Sequence, residues 1–396
     1  MRFGVSILIA AMVLLAACER PDAPALDQQL YIWQRQWTPA HDAALRDSRE
    51  SFSTLRVLAL QAFPNDGWHR ARIDAPLLEH DGRPLIAVIR LDGQLKGLDQ
   101  AQVMAQILQV VADWQAQGLI LHGVEIDHDA GNARLPEYTE FLMHLRSALP
   151  ASLPLSITAL PAWLGSPQLP MLLATVDSSV LQVHAVSDPR RGLFDPEQAQ
   201  RWASDWGKVS RKPFYLALPA YGVALLPDAG GAPVVESEVP VERDGQRQEL
   251  LADPLQLSSL AKELREDPPE HLAGLIWFRL PLPNDRRAWS LTTLRAVARG
   301  DALSSRLGLT FSERDGLYDI HLTNPGNLDA AWPAHLRIKA RGCEGADALA
   351  GYSLQQSADL LTFTRLRDGR LPAGGQRAIG WARCAFIDQG GSHVDP

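Results

Sequence analysis

Cysteine is scarce, with three in 396 residues. That is too few for a disulfide-dense scaffold, no pair stands in CxxC spacing, and no His/Cys cluster has the spacing of zinc ligands. No metal or other cofactor is therefore expected. A basic excess is missing as well: 38 Lys and Arg face 46 Asp and Glu, for a net charge of -8. This balance argues against nucleic acid or an anionic lipid surface as partner. The apolar run at residues 5–15 is too short to span a bilayer as a mature helix. No internal repeat or low-complexity tract is visible. What the chain does have is 46% hydrophobic residues over 396 positions, enough to bury a large core in two domains.

The N-terminal order is that of a cleaved secretion signal: Arg2, the apolar run, then Leu15-Ala16-Ala17-Cys18. The last four residues resemble a bacterial lipobox. The resemblance implies a signal peptide over residues 1–17, cleavage before Cys18 and diacylation of its thiol, so that the membrane is met through a lipid anchor. Glu19 stands where an inner-membrane retention signal typically has aspartate. The implied location is the outer membrane, facing the periplasm. Residues 18–29, with Pro21 and Pro24 and no periodicity, read as a tether. With Cys18 committed to lipid, Cys343 and Cys384 remain, and an oxidising compartment favours a disulfide between them.

From residue 30 to residue 300, short apolar runs alternate with amphipathic segments. The strands expected are 30–33, 55–62, 85–91, 119–127, 155–159, 180–186, 214–218 and 272–280. The clearest helix, 99–117, has Val103, Ile107, Val111 and Trp114 on one stripe, with Asp99 and Gln102 as a capping start and Gly118 as a stop. Another starts at Pro136 and aligns Tyr138, Phe141, Leu142, Leu145 and Leu149. This rhythm predicts an α/β fold, a (β/α)8 TIM-type barrel over residues 30–300, with a doubly wound sheet as runner-up. Residues 226–253 lose periodicity after the seventh strand and read as a long active-site-side loop or hairpin. Beyond residue 300, short strands separated by Asn-Pro-Gly, Asp-Gly and Gly-Gly turns predict a small β-sandwich over 301–396, stapled by the disulfide.

The fourth expected strand ends in His122-Gly123-Val124-Glu125-Ile126-Asp127-His128-Asp129. Period-two geometry puts Glu125, Asp127 and Asp129 on one face and His122 and His128 on the other. Crowded carboxylates raise the proton affinity of at least one of their number, as a general acid requires. The plainer alternative is neutralisation by a barrel-lining arginine. In such barrels chemistry gathers at the C-terminal strand ends. Those ends offer Trp33; Arg90 and Asp92; Gln182 and His184; Tyr215 and Tyr221; Trp277 and Arg279. Aromatic faces beside hydrogen-bonding groups suit sugars, with Trp33, Arg90, Gln182, His184, Tyr221 and Trp277 as the expected saccharide-binding set. Trp163 serves equally as a loop anchor.

These residues carry two resemblances. The fourth-strand motif is similar to the D-G-x-D-x-D-x-E signature of family 18 glycoside hydrolases, the chitinase-like barrels. Gly123 matches, Glu125 and Asp127 stand at the inner aspartates, and Trp277 resembles the eighth-strand tryptophan. His122 replaces the first aspartate, Asp129 replaces the catalytic glutamate with one methylene fewer, and Leu181-Gln-Val-His184 lacks the family's Met-x-Tyr-Asp. The resemblance implies Asp129 as acid, Asp127 as the group orienting the substrate's acetamido group or fixing the protonation of Asp129, and Glu125 as support from deeper in the barrel. Along most of residues 30–300 the chain also resembles the bacterial family of unknown function DUF3142, through Tyr31-Ile-Trp-Gln-Arg-Gln-Trp37, Gly123-Val-Glu-Ile-Asp-His-Asp129, Ala159-Leu-Pro-Ala-Trp163 and Leu181-Gln-Val-His184. The function expected is binding, and in a catalytic version hydrolysis, of a glycan or peptidoglycan-derived saccharide. The alternative is a non-catalytic glycan-binding or envelope scaffold protein.

Overall fold

A computed structural model of the chain describes residues 25–63, 67–92, 99–184, 192–226, 234–236, 248–283, 285–349 and 351–395. The signal segment, Cys18 and most of the tether lie outside the described residues. The first strand, β1 (Asp27–Ile32), is followed by β2 (Thr54–Phe63), β3 (Gly67–Arg70), β4 (Leu85–Leu91), β5 (Leu121–His128), β6 (Leu155–Ala159), β7 (Ser178–Gln182) and β8 (Phe214–Pro219). A short sheet, β10–β9–β11, comprises β9 (Gly222–Leu226), β10 (Val234–Glu236) and β11 (Gln248–Leu251), and β12 (Leu272–Phe278) completes the region. All eight expected strands are present. They pair in parallel in the order β1-β12-β8-β7-β6-β5-β4-β2, and β1 pairs with β2 to close the ring. Closure rules out the open doubly wound sheet. β3 is an unexpected addition, antiparallel to β2 beyond the barrel rim. The 226–253 segment, expected as a loop or hairpin, carries β10 and β11 on either side of β9.

Helices α1 (Ala40–Ser48), α2 (Ala75–Asp81), α3 (Gln100–Ala116), α4 (Leu135–Ala148), α5 (Leu169–Ala174), α6 (Pro196–Val209), α7 (Pro254–Glu266) and α8 (Leu291–Arg299) form the outer layer. In α3 the Asp99 carboxylate accepts from the Gln102 backbone N–H at 3.1 Å, a cap worth about 1 kcal/mol. Its stripe of Val103, Ile107, Val111 and Trp114 is buried against the barrel, and Gly118, at φ +87°, turns the chain out of the helix. In α4 the expected face is likewise buried. The strands read as continuous apolar runs because both of their surfaces are covered, by helices outside and by side chains within.

The C-terminal region is antiparallel: β13 (Gly308–Arg314), β14 (Leu317–Thr323), β15 (Ala330–Ala331), β16 (His335–Ala348), β17 (Tyr352–Gln356), β18 (Leu360–Arg365), β19 (Arg370–Leu371), β20 (Gln376–Ile387) and β21 (His393–Asp395). The long β16 pairs with β18 through its first half and with β20 through its second, around a separate core that includes Ile320, Ile338, Phe363 and Ile379. Cys343 and Cys384 face each other across β16 and β20 and form a disulfide. Asp329, whose side chain is nearly fully buried, joins this region to the barrel: it accepts from the Ser290 backbone N–H at 2.8 Å, the Thr293 hydroxyl at 3.0 Å and the Ala373 backbone N–H at 2.8 Å.

Candidate functional site

At the base of the barrel, inward side chains form a closed polar knot. Glu125 is fully buried: Tyr31 Oη donates to its Oε1 at 2.5 Å, and Arg56 Nη1 donates to its Oε2. Arg56 also donates through Nε to Gln29 Oε1 at 2.8 Å and lies over the Tyr215 ring at 5.2 Å. Burial pushes the Glu125 carboxyl up despite Arg56 and Tyr31, and burial followed by the Glu125 charge pushes the Tyr31 phenol well up. Glu125 thus lies beneath the floor of the site, out of reach of a ligand.

Above this knot a cavity of about 290 Å³ opens among the C-terminal strand ends. One wall is polar and is organised by register: Gln61 pairs across β2 and β4 with Arg90, and Arg90 across β4 and β5 with Asp127. Arg90 forms a bridge, with Nη1 to Asp127 Oδ2 at 2.9 Å and Nη2 to Asp129 Oδ2 at 2.5 Å. Burial alone would lower the Arg90 guanidinium, but the two carboxylates outweigh it and raise its proton affinity. The other oxygen of Asp127 accepts from Thr158 Oγ1 at 2.6 Å and Gln182 Nε2 at 3.2 Å. Asp127 is therefore saturated. Asp129 Oδ1 and Gln61 Oε1, both shielded from solvent, have no hydrogen-bond partner among the described residues.

The opposite wall is aromatic. Trp33 packs edge-on against Phe278 at 5.1 Å, and Tyr221 meets Phe278 at 5.2 Å. His184 stacks on Phe278 at 5.4 Å and shares a 3.3 Å contact between Nδ1 and Tyr221 Oη. Burial lowers the His184 imidazole to about 4, so it is neutral at pH 7. Among the described residues no three His, Cys, Asp or Glu side chains converge as a metal site.

Of the residues singled out from sequence, the structure brings Trp33, Arg90, Asp92, Asp127, Asp129, Gln182, His184 and Tyr221 to the cavity. Trp277 is a correction. Its ring is fully buried on the outer face of β12 against Trp289, with Nε1 donating to Gln28 Oε1 at 2.9 Å, and its neighbour Phe278 is the inward residue. Arg279 is likewise turned aside, to Asp285 at 2.8 Å. His122 is exposed, His128 is buried against Tyr138, and Trp163 anchors a loop by donating to the Ala130 carbonyl at 2.8 Å. Sequence reading missed Arg56, Gln61, Phe63, Thr158 and Phe278. For Arg56 and Gln61 the available signal was a polar residue within an otherwise apolar strand.

Residues 81–283 match the family model of a domain of unknown function (DUF3142), and residues 307–385 that of a second domain of unknown function (DUF8456). No curated protein matches the chain. Among solved structures, the fold is similar to the spore cortex-lytic enzyme SleL of Bacillus cereus, with a TM-score of 0.51 and 13% identity over 72% of this chain and 76% of that one. SleL of Bacillus megaterium QM B1551 gives 0.50 and 12% over 71% and 76%. A chitinase from Bacteroides thetaiotaomicron gives 0.51 and 10% over 70% and 97%. At these identities the likeness is one of fold.

Proposed function

The chain belongs to the DUF3142 family, and we propose that its barrel cleft binds a glycan or peptidoglycan-derived saccharide and holds it without cutting it. The observation that carries this reading is the pairing of unlike walls in one cavity. Trp33, Tyr221 and Phe278 offer apolar faces to a sugar ring, and Gln61, Gln182, Arg90 and Asp129 offer polar side chains to its hydroxyls. The fold shared with proteins named chitinase and spore cortex-lytic enzyme accords with that ligand class. Hydrolysis in the chitinase manner fits less well, because the carboxyl that would give up a proton, Asp129, is engaged by Arg90 through one oxygen and is one methylene short. A hydrolytic role keeps one observation in its favour: Asp129 lines the cavity with its side chain one-third exposed, and its buried Oδ1 has no partner among the described residues.

In this reading the protein is an outer-membrane lipoprotein, anchored through Cys18 and facing the periplasm, where such saccharides occur. Calorimetric titration with chito-oligosaccharides and soluble peptidoglycan fragments tests the binding. Trp33→Ala should weaken a bound saccharide about three- to tenfold, through loss of the aromatic face. Absence of binding to every glycan tried, or binding indifferent to Trp33→Ala, overturns the reading.

A further inference from the structure

Resting on the reading of the cleft as a saccharide site, we infer that it selects a saccharide bearing a free amino group, with the ammonium received by Asp129. The polar wall is short of donors. Three of them, Arg90, Thr158 and Gln182, are spent on Asp127, and Arg90 spends a second N–H on Asp129. Two acceptors are left over, Asp129 Oδ1 and Gln61 Oε1, each buried and without a partner among the described residues; the Asp129 side chain is one-third exposed, and Gln61, 5% exposed, lines the same cavity. A buried acceptor without a donor costs about 1–3 kcal/mol, so the wall is complementary to a group that only donates.

Charge points the same way. Asp127 and Asp129 share the single guanidinium of Arg90, which leaves one formal negative charge on these three groups, and a further carboxylate, Asp92, lines the same cavity. His184 is neutral and does not offset it. Arg35 is exposed and lies over the Phe63 ring at 5.1 Å, where water screens its charge. A hydroxyl supplies a donor without charge, and an acetamido nitrogen supplies one N–H without charge. An ammonium supplies three donors and a positive charge, and the aromatic wall opposite is favourable to a cation. An acidic sugar would set a carboxylate against Asp129.

The test is titration of the full chain in detergent with a glucosamine oligomer, its fully N-acetylated counterpart, a cello-oligosaccharide of the same length and an oligogalacturonate. The glucosamine oligomer should bind at least about tenfold more tightly than the others, as a charge-assisted hydrogen bond provides. Added salt should erode that preference, and Asp129→Asn should bring it to within about threefold, again as expected for loss of a charge-assisted bond. Equal or tighter binding of the N-acetylated, neutral or acidic oligomer, together with weakening by Trp33→Ala, overturns the amino-sugar inference and leaves the saccharide site standing. If none of the four binds, both fail. The wild-type comparison decides the question even if Asp129→Asn proves unstable.

Discussion

Arg56 and Glu125, from β2 and β5, form a buried ion pair at the base of the barrel, and Tyr31 donates to the other oxygen of the same carboxylate. Two charges taken out of water are tolerable only together, so removing one partner strands the other. Arg56→Met should lower unfolding stability by about 3–5 kcal/mol, and Arg56→Met combined with Glu125→Leu should recover most of that loss. Urea denaturation of the two variants checks this. Single and double variants of equal stability would show that the pair is not coupled.

Asp329 holds the antiparallel region to the barrel through three donors from both sides. Asp329→Ala leaves the buried Ala373 N–H and the part-buried Ser290 N–H without an acceptor, at up to about 1–3 kcal/mol for the buried group and less for the other. The expected result is a lower thermal midpoint and faster proteolysis near residues 301–307, which connect the two regions. Unchanged proteolysis in that stretch would mean that other contacts hold the joint.

The barrel was readable because its eight strands are short apolar runs and because helices such as α3 carry both a cap and a stripe. Which residues face inward was readable only where sequence alternates. In β5 it does, and Glu125 and Asp127 are where period two puts them. β12 runs Leu-Ala-Gly-Leu-Ile-Trp-Phe without alternation because both of its faces are buried, so nothing in the pattern favours Phe278 over Trp277 as the inward ring. β2 hides its contribution differently. Its register against β4 shifts between Leu58 and Leu60, so Arg56 and Gln61 both point inward although they are five positions apart, a spacing that period two would put on opposite faces. Both arginines that answer the acids therefore lie on other strands than the acids, and Arg56 stands where simple parity could not pair it with Gln61.

Burial holds the His184 imidazole down to about 4, against the pull of Asp129. A histidine that resists protonation in the fold but accepts it when unfolded, near pH 6.5, contributes stability that is present above about 6.5 and is lost as pH falls through about 4. His128, also lowered by burial, acts in the same direction. The thermal midpoint should therefore fall on acidification across that window, and His184→Gln should shallow the fall. Parallel profiles for the two proteins would show that His184 is not the group responsible.

Leu15-Ala16-Ala17-Cys18 carries the anchoring proposal by sequence alone. Cys18→Ser should move the protein from the membrane fraction to the soluble fraction and abolish labelling by a fatty-acid analogue. Labelling that persists in the variant would place the lipid elsewhere or remove it from the account.

The sharpest division between holding and cutting a saccharide lies in the Arg90–Asp129 contact. If Arg90 keeps the Asp129 carboxyl from serving as an acid, the wild-type protein should release no new reducing ends from chito-oligosaccharides or peptidoglycan fragments at concentrations where it binds them. Asp129→Glu restores the missing methylene but leaves Arg90 in place, so it should remain without turnover for as long as the guanidinium captures the longer carboxylate too. Loss of a working general acid is typically worth about 10²- to 10⁴-fold. Wild-type turnover that Asp129→Asn removes by such a factor, with binding and folding intact, would make Asp129 the acid and the cleft hydrolytic. Binding without turnover in wild type and in Asp129→Glu would favour the reading of the cleft as one that holds its saccharide.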